Sequence, residues 1–498
     1  VGDSLASYVF HGNYAQSNGY RDQSGFTQVN TNFKGAFRLR ENMSLTAILN
    51  YSDSPEAQDS GGLTLEEVAQ DRRQARQRNI DFKTEEAVSQ FKVGTSFDWQ
   101  KSKKTTIEAY AFYSNRQFDG KLPFEFGGVV DLNRNYFGQG TSWQYATSSN
   151  RLQIGYDFGY QNDERERFRN LEGEIGDQTL NQNEKFTNLG IYVLDHYQIG
   201  AWYFTGGIRF DYNKLAAQDN FLSNGDDSGT ITLNAVNPSF GVSYTFSETT
   251  NNSNSHTLFA NFSTSFETPS LSELSADPNG GQGFNEELEP QKATNYEVGI
   301  KGKIGLLQYN LVGFYINTKD DLVPFELEAF PDRDFFRNAG ETLRRGVEVE
   351  TVLKVLDAKD TKINMTASYA FSDFTYTNFQ TGETNLEGKF LPGIPKHKTT
   401  MGLQYVHRSN FHASVSANLV GAQFANDSNA TQVAGYELLN VRTGYTFNLR
   451  NAQVQPYLGI NNLLDEKYTD NVRINAFGDR FFEPAPGFNA YGGFIIQL

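Results

Sequence analysis

The chain has 498 residues and no cysteine, and its 43 Lys and Arg stand against 59 Asp and Glu, a formal charge of −16. The missing thiols exclude disulfide scaffolds, Cys-ligated zinc, iron–sulfur clusters and thiol catalysis, and the acidic balance argues against a nucleic-acid partner. A mean hydropathy of −0.56, with no apolar run long enough to span a bilayer as a helix, excludes a bundle of transmembrane helices.

From the N-terminus onward the dominant signal has period two. Val29, Thr31, Phe33, Gly35, Phe37 and Leu39 alternate with Gln28, Asn30, Asn32, Lys34 and Arg38. The same zigzag returns in Trp202–Tyr212, Ile363–Phe371, Phe411–Leu419 and Leu439–Phe447. In a strand such alternate residues lie on opposite faces. The polar face carries Arg, Lys and Asp, which a dry core would not accept unpaired and a wet lumen would. The apolar face has aromatics near strand ends, among them Tyr51, Tyr113, Tyr212 and Tyr315, as in the girdles of a membrane barrel.

Connection lengths alternate as well. Short turns are predicted near Arg40–Asn42, Gln100–Lys103, Ser148–Asn150, Ile199–Ala201, Arg408–Asn410 and Leu449–Asn451. Long polar stretches are predicted at Ser54–Ala87, Asp119–Asn133, Asn162–Glu184, Leu215–Ala235, Glu267–Gln291, Asn378–Pro395 and Asp465–Pro486. Tight turns on one side and long loops on the other predict an all-β fold, a transmembrane antiparallel β-barrel of about 20 strands. The first strand then runs outward and the last runs inward. The Pro-rich Phe481–Gly487 reads as a rigid loop that sets the entry of the last strand.

Generic catalytic motifs are scarce. None of the six His begins H-E-x-x-H, and the Gly-Lys pairs lack the Ser or Thr of a P-loop. No catalytic residue, metal ligand or resident cofactor is expected. In the first large loop, Thr64 and Glu67 have capping-box spacing and predict a short helix. Arg72, Arg73, Arg76 and Arg78 cluster there. One reading is a cationic contact for an anionic ligand; the other is a solvated helix whose Arg residues pair with Glu66, Glu67 and Asp71. The mixed-charge run Asp163–Arg169 reads as a solvated loop. Arg116, Arg134, Tyr136 and Phe137 flank a second outer loop, and Arg333 and Arg337 accompany Phe335 and Phe336 near a third. Arg donors beside aromatic faces suit a flat anionic chelate or quinone acid; girdle aromatics and Arg residues that bind lipid headgroups are the other reading. The ligand-binding candidates are therefore Arg72, Arg76, Arg116, Arg134, Tyr136, Phe137, Arg333 and Arg337.

Four segments in the second half resemble the barrel of a TonB-dependent outer-membrane receptor. They are Asn261–Leu274 (NFSTSFETPSLSEL), Glu287–Lys301 (ELEPQKATNYEVGIK), Phe336–Glu350 (FRNAGETLRRGVEVE) and Pro456–Tyr468 (PYLGINNLLDEKY). The resemblance implies a 22-stranded barrel plugged by an N-terminal globular domain on which a periplasmic coupling protein, TonB, pulls. It implies a Gram-negative outer membrane with its lipid and lipopolysaccharide as surroundings. The implied function is active import of a scarce chelate, foremost a ferric siderophore. Asn475–Asn489 (NAFGDRFFEPAPGFN) also resembles receptors proposed to import pyrroloquinoline quinone, a metal-free alternative. A passive porin-like channel, a barrel-scaffolded enzyme and a non-transporting receptor or adhesin remain as further alternatives. Residues 1–498 read as barrel throughout, and Leu5–Tyr20 resembles the family's third strand. The plug and first two strands are thus expected from another piece, a second chain, a fragment or a further stretch, because lipid cannot satisfy open sheet edges.

Overall fold

The computed structural model describes residues 5–247, 254–275, 277–278, 284–327, 330–338, 340–381 and 383–497. Its main sheet has 21 ladder segments, and one of them, Phe447–Asn448, merely continues a longer strand. The others form the wall: β1 (Ala6–Ser17), β2 (Phe26–Arg40), β3 (Met43–Gln58), β4 (Glu85–Ser102), β5 (Thr105–Lys121), β6 (Val129–Ala146) and β7 (Asn150–Leu171). They continue with β8 (Glu174–Ile199), β9 (Trp202–Asp219), β10 (Gly229–Ser247), β11 (Ser255–Glu267), β12 (Gln291–Ile304) and β13 (Leu307–Lys319). The last are β14 (Glu341–Asp357), β15 (Thr361–Asn378), β16 (His397–His407), β17 (Phe411–Val420), β18 (Tyr436–Tyr445), β19 (Gln453–Asn461) and β20 (Asn489–Gln497). Each strand pairs antiparallel with its sequence neighbours. β1 and β20 stand at the two ends of this order, and among the described residues no ladder joins them.

The zigzag of the sequence becomes two faces. Phe10, Phe33, Leu49, Val93, Tyr113, Phe137 and Tyr160 occupy one continuous ladder row, and each is at least 37% exposed on the outer surface. Large apolar side chains facing outward in such rows make a lipid belt, because a water-facing surface does not carry apolar patches of this size. On β4 the outward residues run from Phe91 to Trp99. That is roughly 27 Å along the strand, or about 20 Å along the membrane normal at the usual tilt, close to the height of a barrel's apolar band. At the short-turn end, Phe204, Trp202, Tyr244, Phe246, His256 and Tyr309 form a chain of ring contacts with centroids 4.7–6.2 Å apart. This is an interfacial aromatic girdle.

The alternation changes phase above the belt. Leu215 and Leu233 face the lumen and are 2% and 7% exposed, while Lys214, Thr232 and Asn234 take the outward positions. The physical reason is the environment. Beyond lipid the outer surface meets water, and the inner surface is covered by outer loops. Leu271 and Leu274, from the short helix Leu271–Leu274, pack with Phe284 and Leu288 onto Leu215, Ala217 and Leu233, so the loop after β11 folds into the mouth. Two further small cores, around Phe481–Phe482 and around Tyr376–Phe379, tie other outer loops together.

This phase change overturns part of the loop prediction. Asn162–Glu184 is not a loop: β7 runs to Leu171, β8 begins at Glu174, and Glu172 and Gly173 make a two-residue turn with φ of 50° and 92°. Asp163–Arg169 accordingly lies in a strand rather than a solvated loop. Parts of Asp119–Asn133 and Leu215–Ala235 are strand for the same reason. The Pro-rich Phe481–Gly487 is more than a spacer, since Phe482–Pro484 pairs with Thr469–Val472. The predicted capping box is present: Thr64 and Glu67 close it at the start of the helix Leu65–Gln70. Thr64→Ala is expected to cost this loop about 1 kcal/mol, read as faster amide exchange across residues 64–70 with the rest of the barrel unchanged.

Candidate functional site

Four ladder partners place the site on the lumenal wall at the outer mouth. Arg116 on β5 lies opposite Arg134 on β6, Arg134 opposite Asp163 on β7, and Asp163 opposite Glu184 on β8. Side chains two residues apart on a strand share a face. Tyr136 and Lys92 therefore lie on the same wall one row nearer the membrane, and Arg165 one row farther out. On the outer surface at this height the positions are polar, Asn115, Asn133 and Asn135, joined by amide hydrogen bonds. The site is thus above the lipid belt.

Its charges are unevenly matched. Arg134 donates from Nε and Nη2 to the Asp163 carboxylate at 3.0 and 2.7 Å, and Gln161 Nε2 donates to the same group at 3.0 Å. Arg165 Nη2 stands 3.0 Å from Glu184 Oε2. Both carboxylates are 0% exposed, so these pairs fix the wall. Arg116 and Lys92 have no carboxylate partner among the described residues. Their charges rest on aromatic faces instead, Arg116 at 6.0 Å from the Phe118 ring centroid and Lys92 Nζ at 5.0 Å from that of Phe112. Tyr136 packs edge-on against Phe112 at 5.3 Å. Two cations over rings, with the Tyr136 ring packed beside one of them, form a surface that can take an anionic, partly aromatic ligand.

Below the site the wall is held by Tyr110, Asp157, Arg209 and Asp211. Tyr110 donates to Asp157 at 2.8 Å, and Arg209 bridges Asp157 and Asp211 at 2.8 and 2.9 Å. Rings lie flat here because glycine faces them. At Gly140 a Cβ would meet the Tyr110 ring at 2.5 Å, and at Gly155 it would meet the Tyr192 hydroxyl at 2.4 Å. Gly155→Val is expected to push Tyr192 into the lumen and reduce the yield of assembled barrel, read as the heat-modifiable fraction on gels.

Of the residues predicted from sequence, the structure brings Arg116, Arg134 and Tyr136 together and sends Phe137 to the outer face, 40% exposed between Tyr113 and Tyr160. Phe137 follows Tyr136, so one side chain of the pair had to point outward. Arg337 lies on a different arc of the rim and donates to Thr381 Oγ1 at 3.3 Å. The Arg333 side chain lies outside the described residues. Arg72 Nη2 donates to the Tyr468 carbonyl at 2.6 Å, and the Arg76 backbone N–H donates to the Ser60 carbonyl at 2.8 Å. Of the acids expected to pair with these Arg residues, Glu67 is held by Arg480, from the last outer loop, with the Arg76 charge adding to it. Burial pushes the Glu67 carboxyl up, and the Thr64 backbone N–H and Arg480 more than offset this, holding it below its usual range. Sequence reasoning missed Lys92, Asp163, Arg165 and Glu184. Lys92 carried a signal, a cation on the polar face of a clear zigzag; the others sat in stretches read as loop.

Comparison with known proteins agrees with this architecture. A family model for the TonB dependent receptor-like β-barrel matches residues 13–463. The vitamin B12 transporter BtuB of Photobacterium profundum is 23% identical over 381 residues, covering 74% of this chain and 54% of that protein. The ferrioxamine receptor of Yersinia enterocolitica is 23% identical over 295 residues, 57% of this chain and 37% of that protein. The chain thus spans about half or less of the length of these relatives. Among solved structures, the unliganded ferric citrate transporter FecA superposes with a TM-score of 0.79 at 20% identity, over 98% of this chain and 73% of that one. With its lipid-facing belt, polar lumen and a family match over most of its length, the chain is an outer-membrane barrel of a Gram-negative bacterium and belongs to the TonB-dependent receptor family.

Proposed function

We propose that this chain forms the barrel wall of an energy-coupled importer whose cargo is a scarce anionic chelate, foremost a ferric siderophore. The observation that carries this reading is the lumenal pair Arg116 and Lys92, left over after the ion pairs of the wall are made and set over Phe118 and Phe112 at the outer mouth. Capture needs no chemical change of the ligand. Any iron travels as cargo inside its own chelator, and the barrel keeps no resident cofactor. The partners in this reading are a plug in the lumen and, through it, TonB. The position of β1 and β20 at the ends of the ladder supports two further strands between them, from another chain, a fragment or a further stretch, since backbone groups at membrane depth must be paired.

The test is growth rescue under iron or cofactor limitation with a panel of ferric catecholates, ferric hydroxamates, ferric citrate and pyrroloquinoline quinone, in cells with and without TonB. Rescue by a ferric chelate that disappears without TonB is the expected result. Rescue by the quinone alone moves the cargo to a metal-free cofactor, and rescue that ignores TonB makes the barrel a passive channel. Arg116→Ala is expected to weaken binding of the rescuing compound about 10- to 100-fold, the worth of a hydrogen bond to a charged group, with the barrel's melting unchanged.

A further inference from the structure

Among the described residues no ladder pairs β1 with β20, yet outer loops near these two ends are joined. Residues 59–84, between β3 and β4, meet residues 462–488, between β19 and β20. Leu63 and Phe482 exchange both backbone hydrogen bonds, at 2.9 and 3.1 Å. Arg473 is held between Asp59 and Glu483, and Arg480 pairs with Glu67. Arg72 adds its bond to the Tyr468 carbonyl. Beneath these contacts Val68 packs against Phe481 and Phe482, and Leu63 is 0% exposed.

The first of these loops is also anchored on its other side. Arg21, from the β1–β2 connection, donates to the carbonyls of Gln74 and Ser60. Asn170, from the β7–β8 hairpin, donates to the Phe82 carbonyl at 3.1 Å, and Lys83 reaches Glu174 at 2.8 Å. Residues 59–84 therefore grip a neighbour on each flank and the far end of the chain.

We propose that residues 59–84 are a fixed strap that closes the outer rim across the two ends of the sheet, and not a lid that opens to admit cargo. Opening it would break the two backbone hydrogen bonds between Leu63 and Phe482, uncover the buried Leu63 and separate Val68 from the cluster around Phe481 and Phe482. It would also part Arg473 from Asp59 and Arg480 from Glu67. Each is a substantial local cost, and together they place this loop at the stable end of the structure's range of local openings. Movement on capture then falls to loops without such ties to the far end of the chain.

The chain has no cysteine, so single thiols report cleanly. Full-length receptor in outer membranes carrying Leu63→Cys would be treated with a membrane-impermeant maleimide, with Leu65→Cys, 66% exposed, as the open reference. The strap predicts labelling of Leu63→Cys at least about tenfold slower than the reference. It predicts that Glu67→Arg or Arg480→Glu in the same background removes most of that protection, and that the two together restore it. Equal labelling at residues 63 and 65 without any charge change overturns the proposal, as does full protection that survives both single reversals. Should Leu63→Cys fail to assemble, Val68→Cys carries the same comparison. None of these readouts involves cargo, so they stand or fall apart from the importer reading.

Discussion

Ile208→Arg is expected to remove most of the assembled protein from the outer membrane, while Ser96→Arg leaves assembly close to wild type. Ile208 is the middle of the outward run Trp202–Tyr212 on β9 and is 52% exposed. In this position the exposure is to hydrocarbon. An arginine on the lipid face near the midplane costs about 2–4 kcal/mol, a large share of the net stability of an ordinary domain. Ser96 lies opposite Thr46 and Tyr110 on the lumenal face of β4, where a guanidinium keeps its water. The measurement is the heat-modifiable, membrane-integrated fraction for each variant. Equal assembly of both would mean that the apolar rows do not face lipid, and the transporter reading would go with them.

The contrast rests on the part of the fold that was most legible. Alternation in Phe33–Leu39 or Trp202–Tyr212 is dictated by two environments that never mix, hydrocarbon outside and water inside, so each residue type reports its face directly. The tight turns were legible for a related reason, because few residues lie between opposed zigzags. The rim was not. At Leu215, Ile231 and Leu233 the apolar residues sit on the lumenal side because a loop remote in sequence covers them, and nothing local announces that cover. The mixed charges of Asp163–Arg169 read as loop because a strand that leaves the bilayer no longer has a lipid face to reveal its period. Arg116, Arg134 and Tyr136 were found by type, a cation beside an aromatic. Their convergence was not readable, since it depends on the register of β5, β6 and β7. Phe137 shows the limit of adjacency: consecutive residues on a strand cannot share a wall.

The same logic separates the structural half of the site from the half left for a ligand. Arg134 and Asp163 are spent on each other, whereas Arg116 and Lys92 are not. A ligand that competed for Arg134 would have to displace a carboxylate bound through two N–H groups. One that approached Arg116 would displace only water and a ring contact. Affinity is therefore expected to follow Arg116 and Lys92, and rigidity to follow Arg134 and Asp163.

Rigidity gives the second large effect. Arg134→Met is expected to loosen the β7–β8 hairpin more than Asp163→Leu does, and the double variant is expected to lie nearer wild type than Arg134→Met alone. Removing Arg134 leaves Asp163 opposite Glu184, both fully buried, with Arg165 and, more weakly, Arg167 to balance two negative charges. Breaking a buried pair from one side costs about 3–5 kcal/mol. Because the Arg134 side chain is 33% exposed, the lower end applies, corresponding to roughly a hundredfold faster amide exchange in the hairpin. Asp163→Leu strands only a guanidinium that can still reach water, and the Arg165–Glu184 pair survives it. In the double variant both unmatched charges are gone and apolar side chains fill the space, a replacement that is often neutral. Hydrogen exchange across residues 160–186 for the four proteins measures the coupling. Additive effects of the two substitutions would show that the wall does not depend on this pair, and Arg134 would return to the set available for binding cargo.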